Sequence, residues 1–212
     1  MNNTNEDFWE NAIYKSGKQI NSFPFSRLVS LLSKIAQSQA TILEVGCGAG
    51  NNFKFYEKLN MKATGTDISA TAIKVAKDRY SLNKNFEFLV LGSDKLDTIK
   101  KKFDFIIDRG HFSCLDQNEA ETYLTSVKGL MNDRGSLVMI DIHGKSSSDL
   151  EWAETDDQLF YKNFTGGLFA DYGSISFYSE VKLKSALKDF NFNESKERNE
   201  VDKLQNKKMQ FY

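Results

Sequence analysis

The sequence predicts a doubly wound α/β fold: a mostly parallel sheet with helices on both faces, joined by aromatic-rich cover segments. Three observations predict it. Short apolar strands alternate with amphipathic helices between residues 26 and 141, the order that builds βαβ units. The segments ILEV, FIID and LVMI are apolar almost without interruption, as strands buried on both faces are. The first of them runs directly into Gly46-x-Gly48-x-Gly50, at the sheet edge where such folds hold ligands.

Each element has its own signal. Ser26 to Ile35 places Leu28, Leu31, Leu32 and Ile35 at helical spacing. Thr41 to Val45 is a short strand, and Asn52 to Leu59 is helical. Lys62 to Asp67 is the second strand. Ser69 caps the next helix, with Ile73, Ala76 and Tyr80 on one face. Phe86, Phe88 and Val90 alternate as a third strand, and Phe103 to Asp108 is a fourth. Glu119 to Met131 is a helix with Leu124, Val127 and Leu130 inside, and Ser136 to Asp141 is the fifth strand. Residues 142–178 carry no regular pattern and are rich in Trp, Phe and Tyr. Ser179 to Phe190 returns to helical spacing, and two edge strands are expected in the polar remainder.

A length of 212 residues suits one domain with one core. The expected layout is an N-terminal helical and cover segment (1–40), a ligand-binding core (41–141), a cover insertion (142–178), and a C-terminal helix with edge strands (179–212). Lys+Arg is 28 against Asp+Glu 29, so no basic excess points to nucleic acid or to an anionic membrane. The start, MNNTNEDFWE, is polar and acidic, unlike a secretory signal. The two cysteines, Cys47 and Cys114, make no disulfide framework, and no metal-ligand spacing is visible. A cytoplasmic setting is expected.

The glycine turn lets backbone approach a ligand with no Cβ in the way, and the next helix points free N–H groups at the same place. A dinucleotide fingerprint, GxGxxG, would need glycine at 51 or 53; those positions are Asn51 and Phe53. Glu44 sits inside the buried first strand, so it needs a donor or a cation as partner. A pyrophosphate would repel it. Asp67 ends the second strand, 21 residues after Gly46 (67 − 46), where nucleoside-binding folds keep the acid that accepts a ribose diol. Asp94 ends the third strand and can accept from an adenine amino group. Asp108 ends the fourth. Acids at so many strand ends suit a ligand with a diol, an amino edge and positive charge, and S-adenosylmethionine carries all of these.

The ordered set ILEVGCGAGNN, GTDIS, GSD and FDFIIDRG resembles the class I S-adenosylmethionine-dependent methyltransferases over Thr41 to Asp141. The resemblance implies a Rossmann-like methyltransferase fold. It also implies S-adenosylmethionine as cofactor, with S-adenosylhomocysteine as product. Gly46, Cys47, Gly48 and Asn52 would cradle the methionine part, with Glu44 near its ammonium. Asp67 would hold the ribose, Ile68 would lie on the adenine, Ser93 and Asp94 would meet its edge, and Asp108 would lie by the methionine end. The sequence departs from the family in two places. Asn132-Asp133-Arg134-Gly135 replaces a proline-glycine turn, and no Asp/Asn-Pro-Pro-Tyr/Phe motif follows the fourth strand.

His111 and His143 follow the fourth and fifth strands and are the candidates for proton transfer, should a hydroxyl acceptor need a base. Each also has a plain reading, as a side chain that shapes a loop. Tyr14, Arg109 and Tyr161 are candidate contacts for the acceptor, for which a small molecule is expected. Rival readings are a protein or nucleic-acid acceptor, a non-catalytic cofactor binder, and a nicotinamide oxidoreductase, against which Glu44 and the alternate-residue glycines speak.

Overall fold

Leu43, Glu44 and Val45 are buried because their strand is the middle of a five-stranded sheet. That strand is β1 (Thr41–Val45) in the computed structural model, which describes residues 5–155, 157–167, 169–170, 172–191, 198–202 and 207–211. It pairs in parallel with β2 (Lys62–Asp67) on one side and β4 (Phe103–Arg109) on the other, and β2 pairs in parallel with β3 (Phe86–Val90). With β5 (Met131–Ile140) the order is β3-β2-β1-β4-β5. The chain reverses its direction of winding at β1 and β4, so a crevice opens at their carboxyl ends. The register sets Glu44 beside Gly65 and Ile107, and Val45 beside Thr66 and Asp108.

The helices fall where apolar spacing demanded. A helical turn, α1 (Asn5–Asp7), leads into a π-helix, Phe8–Tyr14, whose wider coil shows in the bond from Lys15 N–H to the Glu10 carbonyl five residues back, 2.9 Å. Then come α2 (Ser26–Ile35), α3 (Phe53–Lys58) and α4 (Ala70–Arg79). Ser69 caps α4, its hydroxyl accepting from Ala72 N–H at 3.0 Å. Phe53 is fully buried, with its ring 4.5 Å from Phe88 and 5.0 Å from Phe86, centroid to centroid. Burial of such a ring contributes about 2–3 kcal/mol and fixes α3 against the sheet. The helix before β5 is α5 (Gln117–Leu130).

Three expectations need correction. The fifth strand begins at Met131 rather than Ser136, because Asn132 Nδ2 donates to Asp104 Oδ1 at 2.7 Å and ties the expected turn to the start of β4. Residues 142–178 are not irregular. They contain β6 (His143–Gly144), a 3₁₀ turn Ser148–Trp152, and β7 (Glu154–Thr155), β8 (Phe160–Lys162) and β9 (Ser174–Ser176) in an antiparallel sheet. Strands of two or three residues are too short to show alternation in sequence. Then α6 (Glu180–Ala186) is capped by Ser179 and is shorter than its apolar spacing suggested. Finally β10 (Arg198–Asp202) and β11 (Lys207–Phe211) pair antiparallel, and β11 pairs with β6.

The chain divides into two compact units. One comprises Met1–Arg109 with Thr125–Val138, the other Gly110–Leu124 with Met139–Tyr212. The second unit has its own aromatic core of Tyr161, Phe164, Phe169, Ile175 and Phe177. Among the described residues no helix is long and apolar enough to cross a membrane.

Candidate active site

The glycine turn after β1 is left-handed at all three glycines: φ is +68° at Gly46, +55° at Gly48 and +72° at Gly50. L-residues rarely hold such angles. Gly48 has a second reason to lack a side chain, since a Cβ there would overlap the hydroxyl of Tyr14. Cys47 N–H donates to the Thr66 carbonyl at 2.9 Å, and the Cys47 sulfur fills the space that Gly65 leaves open. Burial pushes the Cys47 thiol up, so it stays protonated and acts as packing.

Asp67 fixes the turn from β2. Its Oδ2 accepts from Gly48 N–H at 2.8 Å and its Oδ1 from Ser69 N–H at 2.9 Å. A carboxylate offers about four lone-pair sites, so a group of this kind can accept from backbone donors and from a ribose hydroxyl together. Ile68 lies beside Gly92, next in chain to Ser93 and Asp94 at the end of β3. Ser93 is half-buried and Asp94 exposed. Asp108 is buried at the end of β4. Open backbone, buried acids and acids at neighbouring strand ends fit a cationic nucleoside.

Glu44 is 3% exposed and has found neutral partners. Asn52 Nδ2 and the Tyr56 hydroxyl each donate to it at 2.7 Å. Asn52 and Tyr56 lie four residues apart, on one face of the helix that follows the turn. Asn52 Oδ1 in turn accepts from Phe25 N–H at 2.9 Å. Burial pushes the Glu44 carboxyl up to about 7, against the opposing pull of the Tyr56 and Asn52 bonds and of Arg109. The ionised form is therefore disfavoured in the folded protein. The protonated carboxyl contributes stability that is full below about pH 4.5 and is lost as pH rises to about 7, on the order of 3 kcal/mol. Glu44→Gln keeps one acceptor, and its new amide donor can turn to the Tyr56 oxygen. In thermal melts at about pH 5 and about pH 8, the Tm gap between variant and wild type is expected to shift toward the variant by several degrees at the higher pH. A gap that does not change with pH overturns this assignment.

Tyr14 is buried against the glycine turn, and burial, then the nearby Asp67 carboxylate, push its phenol up, so it stays protonated. The Arg109 guanidinium lies 3.4 Å from the centroid of the Phe25 ring, a cation–π contact that orients it at the end of β4. The first unit thus holds Tyr14, Glu44, Gly46, Cys47, Gly48, Asn52, Asp67, Ile68, Ser93, Asp94, Asp108 and Arg109. The second unit holds His111, His143 and Tyr161. His111 lies edge-on to Tyr123 at 5.1 Å; His143 lies 4.8 Å from Phe169 and 5.7 Å from Phe177; Tyr161 is part of that same aromatic core. Two residues were missed from sequence. Tyr56 was detectable as i+4 from Asn52. Glu10 was detectable only as i−4 from Tyr14, with no hint of its partners 59 and 61 residues away.

A family model described as a methyltransferase domain matches residues 42–135. An uncharacterised methyltransferase of Schizosaccharomyces pombe is 28% identical over 109 residues, 51% of this chain and 75% of that protein. The ribosomal RNA small subunit methyltransferase C of Serratia proteamaculans is 31% identical over 153 residues, 66% of this chain but 41% of that protein. The structure of the Burkholderia thailandensis 1,6-didemethyltoxoflavin-N1-methyltransferase, with 1,6-didemethyltoxoflavin and S-adenosylhomocysteine bound, aligns at a TM-score of 0.67 over 98% of this chain and 84% of that one. Their identity is 15%, so this last likeness is one of fold.

Proposed function

We propose that this chain, whose residues 42–135 match a methyltransferase-domain model, is a class I S-adenosylmethionine-dependent methyltransferase that methylates a small molecule, working as one domain in the cytoplasm. The observation that carries this reading is the N-terminal segment, which the chain folds over its own glycine turn. Tyr14 rests on Gly48, and Glu10 bonds to Ser69 and Thr71 beside Asp67. A self-covered cradle suits an acceptor small enough to enter beneath it. The balance of 28 basic against 29 acidic residues agrees, since a nucleic-acid acceptor would favour a basic surface.

S-adenosylmethionine supplies an already activated methyl group when bound, so this chain mainly binds, orients and excludes water. In this reading Gly46, Cys47, Gly48 and Asn52 cradle the methionine part and Glu44 faces its ammonium. Asp67 holds the ribose, Ile68 covers the adenine, Ser93 and Asp94 take its edge, and Asp108 borders the methionine end. Tyr14 and Arg109 are assigned to the acceptor. Arg109, held over the Phe25 ring, favours an acceptor with an anionic group. His111 and His143 are the bases available to a hydroxyl acceptor.

The test uses methyl-tritiated cofactor and a cell extract divided into metabolites, RNA and protein. Label in the metabolite fraction that depends on the enzyme is the expected result. Label confined to RNA or protein overturns the proposal. RNA belongs in the test because one relative is named for that acceptor.

A further inference from the structure

We propose that Glu10 is a positioning residue that latches the N-terminal segment onto the start of α4, beside Asp67, and so sets how long bound cofactor stays. The inference rests on the assignment of Asp67 to the cofactor ribose. Glu10 meets three donors at the start of α4. Its Oε2 accepts from the Ser69 hydroxyl at 2.6 Å and from Thr71 N–H at 3.1 Å, and its Oε1 accepts from the Thr71 hydroxyl at 2.7 Å. A carboxylate is favoured there, where a helix presents unpaired N–H groups and the positive end of its dipole.

The partners of Glu10 connect it to the cradle. Ser69 uses its hydroxyl to donate to Glu10, and its backbone N–H to donate to Asp67 Oδ1. Asp67 Oδ2 accepts from Gly48 N–H, and Gly48 lies under the Tyr14 hydroxyl. Tyr14 is four residues after Glu10 on the same π-helical segment. The links therefore close a circuit: Glu10, Ser69, Asp67, Gly48, Tyr14, and back along the backbone to Glu10. Two side chains of one short segment thus reach Ser69 and Gly48, the two residues whose N–H groups donate to the acid expected to hold the ribose. Release of Glu10 frees the segment at one end, so Tyr14 loses its anchor over the turn.

The Ser69 and Thr71 bonds, with help from Lys15 at 3.5 Å, hold the Glu10 carboxyl down at about 2, so it is ionised under all working conditions. Charge-assisted bonds of this kind are about twice as strong as neutral ones, which is what a latch on a seven-residue segment requires. A side chain that merely capped α4 would affect melting temperature alone. A latch also changes the residence time of the ligand.

The experiment follows release of tritiated S-adenosylhomocysteine into excess unlabelled ligand, together with Trp9 emission in a Trp152→Phe background. Trp9 sits in the latched segment, its ring 6.4 Å from Tyr14, and it is one of only two tryptophans in the chain. Glu10→Gln keeps the length of the side chain but not its charge. It is expected to speed release about tenfold and shift Trp9 emission to the red, as affinity losses fall mostly on dissociation. Thr71→Val, which removes one donor from the other side, is expected to speed release about threefold, and the double variant to be little faster than Glu10→Gln alone. Release within about twofold of wild type in every folded variant overturns the latch, as does strict additivity in the double variant. Should Glu10→Gln fail to fold, Thr71→Val still decides. Asp67→Ala measured alongside separates the two claims: loss of binding there with unchanged release in the Glu10 and Thr71 variants sinks only the latch, whereas retained binding sinks the ribose assignment.

Discussion

Asp67→Ala is expected to weaken S-adenosylhomocysteine binding about a hundredfold or more, measured by calorimetric titration. The carboxylate has two duties. In the structure it holds Gly48 N–H at 2.8 Å and Ser69 N–H at 2.9 Å, and in the proposed cofactor complex it also accepts from the ribose. Hydrogen bonds to a charged group contribute about 1.5–3 kcal/mol each, and a buried N–H left without a partner costs about 1–3 kcal/mol. The variant therefore loses ligand contacts and loosens the glycine turn together. A lower melting temperature should accompany the affinity loss. Asp67→Asn places an amide donor against one of the two backbone donors, so it should fall between wild type and Asp67→Ala. An affinity within about threefold of wild type in folded Asp67→Ala would remove the acid from the cofactor site.

The second large effect is expected at Gly48→Ala. A side chain at φ +55° costs about 1–2 kcal/mol by itself. Its methyl group also overlaps the Tyr14 hydroxyl and comes within 3.2 Å of the Tyr14 ring carbon Cζ, so Tyr14 must leave its seat. Cofactor affinity should drop about thirtyfold, and Trp9 emission should shift to the red as the segment lifts. Adding Tyr14→Ala to Gly48→Ala removes the overlap and leaves only the backbone strain. The double variant should therefore bind less badly than the sum of the single effects predicts, which a double-variant cycle on binding energy reads directly. Simple additivity would mean that Tyr14 and Gly48 do not meet in solution.

Several structural features were written locally in the chain. The strands β1, β2 and β3 lie where apolar runs and alternation put them, because burial on both faces demands a continuous apolar segment. The glycine turn is local too, since a left-handed backbone selects glycine wherever it occurs. The doubly wound order then placed Glu44, Asp67, Asp94 and Asp108 at one sheet edge without any coordinates, as chain direction and right-handed crossovers leave little choice.

Other features depend on contacts between residues distant in sequence. Glu44 was seen to need a partner, but that Tyr56 and Asn52 supply it follows from how α3 packs on β1. The short strands β6 to β9 have no period to detect and exist only because neighbours complete their hydrogen bonds. His143 was a candidate by its place after β5, whereas the structure surrounds its ring with Phe169 and Phe177. Glu10 carries no motif, and its three donors come from the start of α4, some sixty residues on. The sequence by itself determined the fold class and the sheet edge at which the acids lie, because each follows from local patterning and chain direction. Only the tertiary structure decided which neutral groups satisfy the buried acid and how the N-terminal segment is held, because those are pairings between segments whose side chains can find many partners until the chain has folded.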